Sequence, residues 1–249
     1  MKAAKDNFSA LAKGYSKYRP DYPQTLYDHL YTHCGAFEQV WDCATGNGQV
    51  ALSLSTQFKN VYASDLSEAQ IAQAAQADNI HYSVQRAEST NFPDDFFDLI
   101  TVGQAYHWFD FEAFGKEANR VLKPGGLVAI WSYHLMRTHP EFDQHIDDFY
   151  LNVVGPYWDE ERNWVDKRYE DVPFHFDPVP TDFTFPIVKE FNLADLEGYM
   201  NTWSAVRHFK NQRGFNPVDD FIQKVATLWS GSVKVTFPGF VKLGRKNVS

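Results

Sequence analysis

The stretch from Val40 to Leu54, VWDCATGNGQVALSL, constrains the fold more than any other part of the chain. It begins as a short apolar run, Val40-Trp41, that ends on an acid, Asp42. Small residues follow at alternate positions, Ala44, Gly46 and Gly48, and then apolar residues at helical spacing, Val50, Ala51 and Leu54. That order reads as strand, tight turn and helix. Glycine suits the turn because it accepts positive φ and lets a ligand approach bare backbone. The first amides of the following helix have no intrahelical partner and point outward, ready for an acceptor. A small-molecule cofactor site is the natural consequence.

The same rhythm continues downstream. Asn60–Asp65 is a second strand ending on an acid, and Ser67 caps an Ala-rich helix running to about Gln76. Ile80–Gln85 alternates as a third strand. A loop through Arg86-Ala87-Glu88 and Pro93 leads to an apolar fourth strand, Phe97–Gly103. Asp110 opens a helix to Val121, and Lys123-Pro-Gly-Gly126 turns into a fifth strand, Leu127–Ser132. Strands alternating with helices predict a parallel sheet with right-handed crossovers.

Beyond Tyr133 the alternation breaks. Residues 134–182, rich in aromatics, acids and prolines, read as a mostly helical cap. Residues 183–249 supply a strand at Phe183–Phe191, a helix at Leu193–Trp203 with Asn192 as its cap, and a helix at Pro217–Trp229. A last strand, Val233–Leu243, is expected to break near Pro238-Gly239. Residues 1–35 form an N-terminal arm and helix, and 36–133 the cofactor-binding core of a single domain. The expectation is an α/β fold with a mostly parallel seven-stranded sheet.

In open parallel sheets the ligand lies at the carboxyl ends of the strands, where strand order reverses. Asp42, Asp65, Glu88 and the Gln104–Trp108 region all fall at such ends. Gly46 to Ala51 also fits a dinucleotide fingerprint, with Asp65 near the expected distance, so an NAD-type oxidoreductase is one reading. Asp42 argues against it, because a pyrophosphate over the turn would meet a like charge. A ligand with an ammonium and a sulfonium has the opposite preference, and S-adenosylmethionine is that ligand. Asp65 would accept both ribose hydroxyls and Leu66 would wall the adenine.

These residues carry a resemblance. Asp42-Cys-Ala-Thr-Gly46-Asn-Gly48 resembles motif I of the class I S-adenosylmethionine-dependent methyltransferases, with Ala44 in place of the first glycine. The likeness covers roughly residues 37–132, taking in Tyr62–Ile71, Arg86-Ala87-Glu88 and Phe97–Phe109. YSKYRPDYP and Gln104-Ala-Tyr-His-Trp-Phe109 are similar to the branch that contains trans-aconitate methyltransferase. The resemblance implies a Rossmann-like sheet and a cofactor set of Asp42, Ala44, Gly46, Gly48, Asp65, Leu66, Ala87, Glu88 and Gln104.

It also implies that His107 and Trp108 lie near the acceptor, with His107 as a candidate general base. Many relatives have Asp where this chain has Arg86, which cannot accept the adenine amino group. Either Glu88 takes that role or the Ala87 and Glu88 backbone does. The Ala44 methyl is tolerable unless φ there must be positive.

Substrate-binding candidates are Tyr18, Arg19, His107, Trp108 and Arg207, the two arginines suiting a carboxylate acceptor. The partner expected is a small-molecule methyl acceptor. A net charge of −9 over 249 residues argues against a general nucleic-acid binder. Lys242, Arg245 and Lys246 read as a solvated tail. No apolar run suggests a membrane span, and the start, MKAAKDNFSA, lacks a secretory h-region, so the cytoplasm is expected. Two cysteines, Cys34 and Cys43, are too few for a disulfide framework. The nine histidines show no metal-ligand spacing, and His134, His139 and His145 read as packed or solvated. A G-x-S-x-G hydrolase elbow is absent. A cofactor-binding protein without turnover stays open beside the enzyme.

Overall fold

The structure is a computed structural model and describes Tyr18 and residues 20–246. Arg19, one of the substrate candidates, lies outside the described residues, as does the arm before Tyr18. Eight strands form one sheet in the order β3-β2-β1-β4-β5-β8-β6, with β7 also paired to β8. They are β1 (Gln39–Cys43), β2 (Asn60–Asp65), β3 (Ile80–Val84), β4 (Phe97–Gly103), β5 (Leu122–Tyr133), β6 (Asp177–Val179), β7 (Thr184–Phe191) and β8 (Val233–Arg245). The first five run parallel, and β8 is antiparallel to β5, β6 and β7. β6 and β7 meet different halves of β8, so eight strands stand where seven were expected. The mostly parallel Rossmann-like sheet is otherwise as read.

Strand order reverses between β1 and β4, which opens a crevice at their carboxyl ends. β4 reads as a continuous apolar run because it is buried on both faces. Helices flank the sheet: α1 (Gln24–Thr32), α2 (Gln49–Leu54), α3 (Glu68–Ile71), α4 (Phe111–Val121), α5 (Pro140–Asp148), α6 (Arg162–Asp166), α7 (Leu193–Met200), α8 (Ser204–Arg213) and α9 (Pro217–Val225). Two apolar cores result. One joins Val40, Trp131 and α1 to α5 and α7–α9, and the other joins Trp41, Val128 and α4 to Val165, Tyr169 and Phe176. The cap contributes to both, so it is clamped across the carboxyl edge of the sheet.

Several expectations shift. α3 stops after one turn, not at Gln76, because the chain folds back and Ala75 N–H donates to Asn47 O at 3.1 Å. The Lys123–Gly126 turn is a bulge within β5, whose pairing skips from Leu122 to Leu127. β8 does not break at Pro238-Gly239. Pro238 stands opposite Pro186 of β7, and its carbonyl accepts from His134 N at 2.9 Å, so the ladder runs on through it.

Lys242, Arg245 and Lys246 are not a solvated tail either. Lys242 Nζ donates to Tyr169 O at 2.9 Å, Arg245 to Gly125 O and His33 O, and Lys246 to Asp95 and Leu122 O. They serve mainly as donors to backbone carbonyls of neighbouring segments.

Candidate functional site

Asp42 stands at the end of β1, 1% exposed. Thr45 Oγ1 donates to one of its carboxylate oxygens at 2.5 Å and Thr101 Oγ1, from β4, to the other at 2.9 Å. Burial raises its pKa to about 7, the hydroxyls of Thr45 and Thr101 pull it down, and Asp65 pushes it up. The group is therefore poised to titrate near neutrality.

Asp65 ends the neighbouring β2. Its carboxylate accepts from Gly46 N and from Ser67 N, each at 2.9 Å. The acid thus clips the glycine loop to the start of α3, where Ser67 accepts from Gln70 N as the expected cap. Ala44, Gly46 and Gly48 all sit at positive φ, +56°, +56° and +78°. The condition under which Ala44 is costly is met, at roughly 1–2 kcal/mol. Gly48 cannot carry a side chain, since a Cβ there would strike the Tyr82 hydroxyl. A Cβ on Gly46 would meet nothing within 4 Å, so open space lies above that turn. Leu66, beside Asp65, is 44% exposed and offers an apolar wall.

Glu88 is pinned: Asp110 N donates to one oxygen at 3.1 Å and Arg86 pairs with the other at 3.2 Å. Both carboxylate oxygens that could read an adenine amino group already have partners. Ala87 is buried beside it. Gln104 sits at φ +55°, hydrogen-bonded through its amide to Trp131 O and through its side chain to Ser132.

His107 follows β4 in the 3₁₀ turn Tyr106–Trp108 and is 6% exposed. Its Nδ1 lies 2.9 Å from the hydroxyl of Tyr169, a fully buried cap residue. Tyr169 and Arg168 are consecutive non-glycine residues at φ +57° and +54°, a strained turn fixed by Lys242 on Tyr169 O and by Tyr169 N on Trp164 O at 2.8 Å. Trp108 packs half-buried against His107, ring centroids 4.9 Å apart.

The N-terminal approach is pinned at the same loop. Asp21 accepts from Gln49, the first residue of α2, and from Lys189 of β7 at 2.5 Å. Tyr22 meets Trp131 edge to face, and Tyr18 lies against Gly198 of α7. Arg207 stands on α8, which packs on the cap turn Gly155–Tyr157 through His208 and Tyr157 O.

Asp42, Gly46, Gly48 and Asp65 therefore converge, while His107 leads into the cap and Gln104 is tied to β5. Thr45, Thr101, Ser132 and Tyr169 were missed. Tyr169 had no sequence signal, being 62 residues from His107. Thr101 stands opposite Asp42 across the β1–β4 pairing, a register that sequence order alone does not give. Among the described residues no group of three or more His, Cys, Asp or Glu could hold a metal, and no helix is long and apolar enough to cross a membrane.

Residues 41–130 match a family model described as a methyltransferase domain. A Dictyostelium discoideum protein classed as a methyltransferase is 32% identical over 97% of this chain and 95% of its own length. An uncharacterized methyltransferase of Schizosaccharomyces pombe is 26% identical, covering 77% of this chain and 76% of its own. A solved structure from Anaeromyxobacter dehalogenans, classed as a type II methyltransferase, superposes with a TM-score of 0.85 at 33% identity. It covers 92% of this chain and 98% of that one.

Proposed function

The chain belongs to the class I S-adenosylmethionine-dependent methyltransferases, and on that premise we propose that it moves a methyl group from S-adenosylmethionine to a small-molecule acceptor. The observation that carries this reading is the pairing of Asp42 and Asp65 around a positive-φ loop with open space above Gly46. Two acids at that range suit a cation and repel a diphosphate.

The residues fit the cofactor. Asp65, at the end of β2 beside the glycine loop, would meet the ribose hydroxyls, and Leu66 offers the adenine wall. With Glu88 held by Arg86 and Asp110, the backbone of Ala87 and Glu88 is the better reader of the adenine edge. Gln104 and Asp42 would face the methionine end. Bound S-adenosylmethionine supplies a methyl group on a sulfonium whose charge disappears on transfer.

The protein's share is alignment and the exclusion of water, the cap closing the carboxyl edge. A carboxylate oxygen as acceptor needs no proton removed, and His107 then acts by holding the cap through Tyr169. A phenol or amine would need His107 or another base.

Thermal denaturation tests the reading. S-adenosylhomocysteine at about 100 times its Kd should add roughly 2.7 kcal/mol, a rise of roughly 5–10 °C in Tm, and NADH should add nothing. Stabilisation by NADH alone would restore the oxidoreductase. Turnover with labelled donor separates an enzyme from a binding protein.

A further inference from the structure

The cap builds a second polar cluster near the carboxyl ends of β4 and β5. Arg162, the first residue of α6, keeps only 21% of its side chain exposed. Its Nε donates to the Tyr150 hydroxyl at 2.8 Å and lies 3.3 Å from Asp166. The guanidinium stands 5.5 Å from the Tyr150 ring centre and 5.2 Å from that of Trp158. Tyr150, Trp158 and Trp203 pack on one another with centroids 5.1 to 6.0 Å apart. The Arg162 terminal N–H groups find no hydrogen-bond acceptor among the described residues.

Trp158 Nε1 is a buried donor with no partner in the same box. Such a group costs about 1–3 kcal/mol if nothing ever meets it. Two unmet donors in one aromatic box call for an acceptor from outside the chain.

The local charge has the matching sign. Arg168, Arg162 and Arg137 face His134 against Asp166, with Arg137 itself paired to Asp147 at 2.7 Å. Burial and then those arginines hold His134 below its ordinary pKa, so its ring is neutral at pH 7. This is a cationic spot on a chain whose net charge is −9. It also adjoins the donor site. Arg162 is close enough to Tyr169 to lower its pKa against burial, and Tyr169 bonds His107 at the end of β4.

We propose that this box is the docking site for a carboxylate on the methyl acceptor, with the Arg162 guanidinium as counter-ion and Trp158 Nε1 as an added donor. A planar guanidinium stacked on aromatics presents fixed parallel N–H groups that match a carboxylate. The buried Tyr150 and Trp203 rings pack behind Trp158 and hold it in place. Because Asp166 already balances part of the arginine charge, a singly charged carboxylate fits better than a phosphate dianion.

The proposal rests on the methyltransferase reading, and one titration series separates the two. Calorimetry on the full chain with saturating S-adenosylhomocysteine would compare cinnamate and itaconate with cinnamamide and phenyl phosphate. At least one acid should bind about tenfold or more tighter than the amide. Arg162→Gln should erase that preference and Trp158→Phe should weaken the acid several-fold, both keeping S-adenosylhomocysteine affinity within about twofold.

Equal binding of acids and amide, tighter binding of phenyl phosphate, or unchanged acid affinity in Arg162→Gln overturns the subsite while leaving the methyltransferase reading intact. Failure of the wild type to bind S-adenosylhomocysteine overturns both. Should Arg162→Gln not fold, the wild-type acid–amide comparison and Trp158→Phe decide.

Discussion

Nδ1 of His107 and the hydroxyl of Tyr169 lie 2.9 Å apart, a buried hydrogen bond that ties the turn after β4 to the cap beside the Tyr106 hydroxyl, which donates to Pro173 O at 2.8 Å. Tyr169 reaches His107 only because residues 168 and 169 adopt a left-handed turn that other contacts must hold. The cap is thereby positioned by the residue nearest the expected acceptor. Tyr169→Phe should cost about 1–2 kcal/mol, since His107 loses a buried partner. Tm should drop by roughly 2–8 °C. S-adenosylhomocysteine affinity should stay near wild type while methyl transfer slows. A variant with unchanged turnover would show that the bond is structural only.

Asp42 supplies a pH dependence. Its folded pKa, about 7, lies above the ordinary carboxylate value because burial outweighs the Thr45 and Thr101 hydroxyls. The native state therefore holds a proton that the unfolded chain releases near pH 4. Stability from this group is complete below pH 4 and is lost as pH rises towards 7. A cationic donor favours the ionised form, so S-adenosylmethionine should bind more tightly above pH 7 and release a proton near pH 6.5. Calorimetry in buffers of different ionisation enthalpy measures that release, and Asp42→Asn should abolish it.

The βα frame around the cofactor loop was legible because local chemistry sets it. The Asp42-to-Gly48 turn, the Ser67 cap, the Asp110 cap and the apolar β4 all stand where their residue types require. What the sequence could not show depends on distant chain segments. The Asp42–Thr101 and His107–Tyr169 bonds join residues 59 and 62 apart. Glu88 reads as a candidate for the adenine amino group, and nothing local announces that Arg86 and Asp110 N–H would each hold one of its oxygens. Hydropathy likewise could not reveal that β8 would run through Pro238, because its partner there is another proline.

Asp65→Ala touches more than the cofactor, because the carboxylate holds two backbone amides. Loss of both bonds should cost about 1–3 kcal/mol as well as weakening donor binding. Asp65→Asn is the sharper variant, since its carbonyl retains one acceptor while the charge is gone. We expect S-adenosylhomocysteine affinity to drop about tenfold or more, with a smaller drop in Tm than for Asp65→Ala. Unchanged affinity in Asp65→Asn would remove this residue from the cofactor site.

Ala44 gives a prediction of the opposite sign. At φ +56° its methyl crowds the backbone, a penalty glycine does not bear. Ala44→Gly also makes the unfolded chain freer, which offsets part of the gain. The net should be stabilising, by about 0.5–1 kcal/mol, or roughly 1–4 °C in Tm. Val at the same place, with a branched Cβ in the left-handed region, should destabilise by more than Ala44→Gly gains. Urea denaturation of the three chains at one pH orders them. If Ala44→Gly proves less stable than the wild type, the left-handed turn at Ala44 is not the strained one, and the methyl is packing usefully against the crevice.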